Sequence, residues 1–247
     1  MIHDSSTIRF CLDTREPEWE LHRDIGTAIA DALLLDVEFF EFGYDYADAA
    51  RQFQGVPENL LFIFLGDECE AFLGTRMSDI SVHPDWVIVS RPYLVTGHVL
   101  ASSSPEALEP ANVLDNPDGP KVGMAVGSPM NASISFYFPD TNRRVYRQEE
   151  QLLDGLLRGE VQAGFFYEPR LNALTGGDPA SVGLETRVFA QVPATNWQVG
   201  MSLNEDRVYI RTLIDQAIAS LIANGTIAEI LARHGLDDSL LTAPAAR

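Results

Sequence analysis

The 247-residue sequence predicts an α/β protein of two lobes, each built on a mainly parallel sheet flanked by helices. Three observations carry that prediction. Short apolar runs closed by glycine alternate with amphipathic helical stripes along the chain, which is the pattern of successive βαβ units. One local design, a helix end feeding Gly, an acidic residue and a buried strand, occurs at Gly66-Asp67-Glu68-Cys69-Glu70-Ala71 and again at Gly159-Glu160-Val161-Gln162-Ala163. Between the two series lie the punctuation Ser102-Ser103-Ser104-Pro105 and the turn signal Asn116-Pro117-Asp118-Gly119-Pro120. The expected division is residues 1–100 plus 196–247 for lobe one and 101–195 for lobe two, with crossings near 98–102 and 194–200.

The elements follow in order. Ile8-Arg9-Phe10-Cys11-Leu12 reads as an opening strand, followed by the polar loop Asp13 to Trp19. Ile25, Ile29, Ala32 and Leu33 recur at helical spacing, and Val37 to Phe42 is a second strand, so a right-handed βαβ unit opens the chain. Pro57 suits the first turn of a second helix, whose Leu60, Leu61, Phe64 and Leu65 face inward before Cys69 to Leu73, a strand stopped at Gly74. The chain then turns polar at Thr75 and Arg76, beyond the carboxyl end of a strand, where open parallel sheets bind small molecules. Lys121 to Val126 begins the second lobe as a strand leading through Gly127-Ser128-Pro129-Met130-Asn131 into a helix. Leu152, Leu153, Leu156 and Leu157 mark an amphipathic helix, and Val161 to Phe166 a further buried strand. Val188 to Val192 and Val199 to Leu203 return the chain to lobe one. There Ile210, Leu213, Ile214, Ala217, Ile218 and Leu221 form the stripe of a closing helix. Asn224-Gly225 ends it, and Thr226 with Glu229 has the form of a capping box for one more helix.

Composition bounds the partners. With 46% hydrophobic residues the chain can bury a large core. Its 36 Asp plus Glu against 17 Lys plus Arg, a formal charge of -19, repel phosphate backbones and anionic membranes, so nucleic acid is excluded as the natural partner. The acidity serves solubility or steers a cationic partner. There is no 18-residue apolar run to insert in a membrane, and a monomer is expected. Met1-Ile2-His3-Asp4 lacks the basic and apolar regions of a signal peptide, which leaves a cytoplasmic protein or an exported one whose leader is absent from this sequence.

The residues Gly66-Asp67-Glu68-Cys69-Glu70, Ser90-Arg91-Pro92-Tyr93 and the ending Asn224-Gly225-Thr226-Ile227 with Leu231 and Gly235 carry a resemblance. The sequence resembles the family 3 extracytoplasmic solute-binding proteins, the amino-acid-binding type with two lobes, from Ile8 to about Leu236. Within that superfamily, Cys69 at the strand start and Arg91-Pro92-Tyr93 look most like the accessory binding proteins of bacterial methanol-oxidation systems. The resemblance implies a periplasmic location and a cleft between lobes that traps a small ligand by hinge closure. The strands holding Cys11 and Cys69 are adjacent in the resembling fold, which implies a disulfide between these two, the only cysteines in the chain. The alternative is a reduced pair packed as small hydrophobes.

The ligand-binding candidates are Asp13, Glu16, Trp19, Thr75, Arg76 and Tyr93 from lobe one, and Gly127, Ser128, Asn131, Tyr167 and Glu168 from lobe two. Free amides and the helix dipole at Gly127-Ser128 would favour an anionic group, or the glycine is simply the residue a turn requires. Two departures from the family pattern decide more than the matches. Where amino-acid-binding members carry an Arg that grips the ligand carboxylate bidentately, this chain has Ile80-Ser81-Val82-His83; where they carry an Asp for the ligand ammonium, it has Tyr167, in Phe166-Tyr167-Glu168-Pro169. Arg76 and Glu168 could substitute from neighbouring positions, or stand as solvated surface charges.

For catalysis the sequence offers no positive pattern. His3, His22, His83, His98 and His234 show no spacing with Ser, Cys or carboxylates that marks a triad or a zinc site. Asp115 to Gly119 is not a calcium loop, because Pro117 occupies a ligand position and no Glu follows where one is needed. Glu16, Glu18 and Glu20 around Trp19 form a solvated acidic loop or attract a hard cation. No metal and no cofactor is expected. The expected function is non-catalytic capture of a small solute other than an ordinary α-amino acid, with Trp19 and Tyr167 as stacking faces and an ABC-transporter permease as partner. The alternatives are an accessory protein for a periplasmic quinoprotein (PQQ-dependent) alcohol dehydrogenase, and an enzyme such as a dehydratase built on the same fold.

Overall fold

The computed structural model describes residues 6–16, 18–43, 58–77, 83–126, 128–188 and 196–236. The chain forms two compact units, Met1–Val95 with Gln198–Arg247, and Thr96–Trp197. Pro57, Gly127 and the stretches 78–82 and 189–195, on which several sequence expectations fall, lie outside the described residues.

Unit 1 opens with strand β1 (Thr7–Asp13), helix α1 (Trp19–Ala32) and strand β2 (Asp36–Phe42), and β1 and β2 are parallel. Helix α2 (Glu58–Ile63) runs into a π-helical turn at Phe64–Glu68, and strand β3 (Ala71–Met77) then pairs in parallel with the other side of β1, with Cys11 opposite Phe72. Strand β4 (Val87–Val89) precedes strand β5 (Leu94–Ser102), which leaves the unit; strand β10 (Asn196–Asn204) returns to it antiparallel to β3 and β4. The order in this unit is β2-β1-β3-β10.

Alternation along β1 sorts its residues onto two faces. Phe10 lies beneath α1, which buries Leu21, Ile25 and Ile29. Cys11, on the other face, packs with Phe42, Phe64, Leu65, Cys69 and Phe72. Cys11 and Cys69 are joined by a disulfide with Cα atoms 5.6 Å apart, closing a separation of 58 residues. Helices α7 (Val208–Ala223) and α8 (Thr226–Arg233) pack on α1, and the stripe of α7 buries Ile214, Ala217, Ile218 and Leu221. The capping box expected at Thr226 is not formed. Gly225, at φ +83°, is the N-cap, and the Thr226 N–H donates instead to Asn224 Oδ1 at 3.0 Å, because the left-handed glycine reverses the chain one residue earlier than the motif assumes.

In unit 2, short helix α3 (Pro110–Val113) precedes strand β6 (Val122–Ala125), helix α4 (Pro129–Tyr137), strand β7 (Arg143–Tyr146), helix α5 (Glu149–Leu157), strand β8 (Ala163–Tyr167), helix α6 (Glu168–Leu174) and strand β9 (Glu185–Val188). Strands β7, β6 and β8 are parallel; β5 joins β8 antiparallel and β9 closes antiparallel on β5. One face of this sheet packs Leu100, Met124 and Phe165 against Met130 and Ile134 of α4, and the opposite face packs Val99 and Phe166 against Leu152, Leu153 and Leu156 of α5. Leu157, read from sequence as a fourth inward residue of α5, is 51% exposed, since it lies on the far side of the last turn.

Candidate ligand site

Each sheet presents polar side chains at the carboxyl ends of its parallel strands, the edge at which open α/β sheets bind small molecules. The two edges are furnished differently.

In unit 1, nearly every polar group at this edge has a partner in the same unit. Asp13 ends β1 and is buried; its carboxylate accepts from the Arg15 backbone N–H at 3.0 Å and from the Arg15 guanidinium at 2.8 and 2.5 Å. Glu16 pairs with Arg76 at 2.6 Å. Thr75 and Arg76 do not lie beyond the strand: β3 runs on through Gly74 to Met77, because β10 pairs with Thr75 and Arg76 through Gly200 and Val199. The hydroxyls of Thr75 and Ser202 are 2.7 Å apart. Trp19, half-buried, is the first residue of α1.

Tyr93 is at the centre of a buried relay. The Gly74 N–H donates to its hydroxyl at 2.9 Å, and the hydroxyl lies 3.1 Å from His22 Nδ1. Desolvation, with smaller contributions from Arg76 and His234, pushes His22 down to about 3, so the imidazole is neutral and Nδ1 accepts the Tyr93 proton. Burial likewise pushes the Tyr93 phenol up, keeping it protonated. Gly74 is required here: its φ is +84°, and an added Cβ would stand 3.0 Å from the His22 ring. Tyr93 is therefore bound into the core of unit 1, with 1% of its surface exposed.

In unit 2, Ser128 caps α4 by accepting the Met130 N–H, and its hydroxyl lies 3.4 Å from His98 Nε2. Asn131, one turn further on, shares the helix face of Ser128. Its Oδ1 is buried and has no hydrogen-bond partner among the described residues. Tyr167 ends β8 directly opposite His98 of β5, so both side chains stand on the α4 face of the sheet. The Tyr167 and Trp197 rings are stacked, with centroids 5.6 Å apart and 20° between planes, and His98 meets both at 5.8 and 5.5 Å. Thr96, two residues before His98 on β5 and hence on the same face, is 2% exposed, and its hydroxyl also has no partner among the described residues.

Glu149, the first residue of α5, accepts the Tyr167 backbone N–H at 2.9 Å. Desolvation raises it to about 7, opposed by Arg170, which is engaged by Glu150. Glu168 is half-buried in the first turn of α6. The sequence candidates Ser128, Asn131 and Tyr167 thus share the face and edge where His98 stands. Trp197, Thr96 and Glu149 were not among the candidates. A polar pair at i, i+2 inside the apolar strand of β5 was the available signal for Thr96 and His98.

No group of three or more His, Cys, Asp or Glu side chains able to hold a metal ion occurs among the described residues, and none of the helices they form is long and apolar enough to cross a membrane.

No protein-family model and no curated protein matches the chain. Solved structures do match. The second substrate-binding domain of a putative amino acid ABC transporter from Streptococcus pneumoniae aligns with a TM-score of 0.66 at 16% identity, covering 92% of this chain and 99% of that one. An ancestral cationic amino acid solute-binding protein aligns at 0.64 with 15% identity, covering 92% and 95%. The ligand-binding core of GluR0, solved with L-glutamate, aligns at 0.61 with 14% identity, covering 94% and 99%. At these identities the likeness is one of fold, and it spans nearly the whole of each chain. The architecture is therefore that of the type II solute-binding proteins, the fold shared by amino-acid-binding ABC-transporter proteins and the GluR0 ligand-binding core.

Proposed function

We propose that the protein is a non-catalytic extracytoplasmic binding protein that captures a small solute other than an ordinary α-amino acid, with the carboxyl edge of the unit 2 sheet as a principal binding surface. The observation that carries the reading is Tyr167. It ends β8 at the position where the family pattern has an ammonium-holding Asp, and its ring is stacked on Trp197. Two carboxyls stand near this edge: Glu149 is turned to the Tyr167 N–H and raised to about 7 by burial, and Glu168, the candidate substitute for the Asp, is half-buried in the first turn of α6 and already has a partner. In unit 1, Arg76, the candidate substitute for the missing carboxylate-gripping Arg, is paired with Glu16. The Cys11–Cys69 disulfide supports an oxidising compartment, hence export.

Absence of a charge-assisted bidentate anchor weakens binding by about 2 to 5 kcal/mol, roughly 30-fold to several-thousand-fold in affinity. Calorimetric titration with each of the twenty amino acids is the test, and the expected outcome is no submicromolar binding; one such ligand refutes the reading. A thermal-shift library is expected to contain a small molecule that does stabilise the protein.

A further inference from the structure

Strand β7 is the last of its sheet and is paired on one side only, with β6. The Val122 N–H donates to the Asn142 carbonyl at 2.8 Å and the Val126 N–H to the Tyr146 carbonyl at 2.7 Å. Bonding residues alternate along a parallel ladder, so Asn142, Arg144 and Tyr146 are bonded to β6, and Arg143 and Val145 turn their N–H and C=O groups outward. Those outward groups have no backbone partner among the described residues. The side chains agree with an open edge. Tyr146 packs with Leu152, Leu153 and Leu156 of α5, with the Arg144 guanidinium 5.0 Å over its ring. Arg143 and Val145 stand on the opposite face, followed by Arg147 just past the strand, and all three are exposed, Val145 at 45%.

This edge is also a basic segment in a chain of formal charge -19. Glu160, on the Tyr146 side, is shared by Arg144 and Arg158 at 2.9 and 3.0 Å. Arg143 and Arg147 form no ion pair among the described residues, and neither does the exposed Lys121, which precedes β6 next to the start of β7. The carboxylates nearest in sequence do not cancel them. Asp140, in the turn before β7, donates its N–H to Asp115 and pairs with neither arginine; Glu149 is turned to the Tyr167 N–H, and Glu150 is engaged by Arg170. A second copy of this edge would set arginine against arginine, and like charges opposite one another destabilise a strand pair. Nucleic acid and anionic membranes present their charge well beyond the screening length of about 8 Å and meet the net negative field of the whole chain. A short extended segment with acids at alternate positions meets the arginines locally, and its backbone completes the open side of the ladder. The charges that exclude a copy of the edge thus select a strand of opposite sign.

We propose that β7 receives an extended acidic segment of a partner protein as an added strand, with its carboxylates opposite Arg143 and Arg147 and an apolar residue between them opposite Val145. The proposal goes beyond solute capture and is independent of it, since it uses the outer side of β7 and none of the candidate ligand residues.

Fluorescence anisotropy on the full chain tests it with a labelled peptide, acetyl-Thr-Glu-Thr-Val-Thr-Glu-Thr-amide, whose pattern reads the same in both strand directions. The peptide is expected to bind, more weakly as salt rises, and a version with Lys for both Glu to bind at least about tenfold more weakly. Two further peptides keep the charges and lose backbone donors by N-methylation, one at Glu and Val and one at Thr. At least one of them is expected to lose binding, because the donors that face β7 belong to one set or the other. Arg143→Glu with Arg147→Glu, both at exposed positions, should weaken the acidic peptide by at least about tenfold and favour the Lys version. Val145→Pro removes an outward N–H at an edge position where proline is tolerated, and should abolish binding of the acidic peptide while circular dichroism shows the fold retained. Five results would each overturn the proposal: no binding of the acidic peptide; equal binding of the acidic and Lys peptides; parent-like binding of both N-methylated peptides; parent-like binding by the charge-reversed protein; or binding of anionic vesicles or duplex DNA in place of the peptide. So would a dimer seen by sedimentation that the charge reversal dissociates, which would make the occupant a second copy of the chain. Solute capture stands in every one of these cases.

Discussion

The two units of this chain place comparable side chains at comparable sheet edges and use them differently. In unit 1, Tyr93, His22 and the Gly74 N–H answer one another, Asp13 is enclosed by Arg15, Glu16 by Arg76, and Thr75 by Ser202. In unit 2, the buried His98, Tyr167 and Trp197 rings are in mutual contact, Asn131 Oδ1 and Thr96 Oγ1 have no partner among the described residues, and burial pushes the Glu149 carboxyl up to about 7. Unit 1 also carries the covalent staple. At the unit 1 edge the polar groups are answered from within the unit, although His83 Nε2 elsewhere in it is buried without a hydrogen-bond partner; the unit 2 edge keeps two buried oxygens without one among the described residues.

Four experiments press on that contrast. The largest effect is expected from Cys11→Ala with Cys69→Ala. Removing a closure of 58 residues should cost about 4 kcal/mol on the chain-entropy account. Native-state hydrogen exchange should show the loss in unit 1 amides, with unit 2 protection retained; equal loosening of both would erase the distinction.

Next comes pH, for which the two units have opposite signs. Folded His22 titrates at about 3 against an ordinary 6.5, so between those values the unfolded chain binds the extra proton and unit 1 gains stability as pH rises, reaching its plateau above 6.5. Folded Glu149 titrates at about 7 against an ordinary 4.5, so across that window the folded chain holds the extra proton and unit 2 loses stability as pH rises. Each shift is worth up to roughly 3 kcal/mol or more over its full range. Amide exchange followed from pH 4.5 to 6.5, as an interval inside both windows, should therefore show unit 1 tightening while unit 2 loosens. Glu149→Gln should flatten the second slope and leave the first. Parallel slopes would show that the two groups do not govern their units.

A third test is Tyr93→Phe, which strands the half-buried Gly74 N–H and the buried His22 Nδ1 and should cost about 1 to 3 kcal/mol, read by chemical denaturation. At the small end, Arg76→Gln should change stability by less than about 1 kcal/mol, because the Arg76–Glu16 pair is solvent-exposed and screened.

Much of the framework was legible in the residues. The stripe Ile214, Ala217, Ile218 and Leu221 identified α7 because a surface helix must bury one face at 3.6-residue spacing. The Cys11–Cys69 pairing came from the family resemblance rather than from spacing; Cys69 lies two residues before β3 rather than on it, and the pairing of β3 with β1 still brings the two together. Thr226 misled because a capping box and a helix that starts after a left-handed glycine share the same letters. The site was legible only in part. Ser128, Asn131 and Tyr167 follow strands and could be placed at an edge by topology alone. Trp197 could not, since its stacking on Tyr167 joins residues 30 positions apart through the return of β10, a contact no local pattern encodes. Glu149 has the form of an ordinary acidic first-turn residue favoured by the helix dipole; its hydrogen bond to a neighbouring strand's end is a tertiary fact.

The disulfide also alters what a break in the backbone would do. Cys11 and Cys69 make a covalent circuit of β1, α1, β2 and α2. A single peptide-bond cut anywhere between Leu12 and Glu68 therefore opens that circuit without releasing a fragment. The two pieces would migrate as one species until a reductant was added, and β1 would stay tethered to the start of β3, its sheet neighbour. New chain ends could be made within this span while the order of strands in the sheet stayed the same.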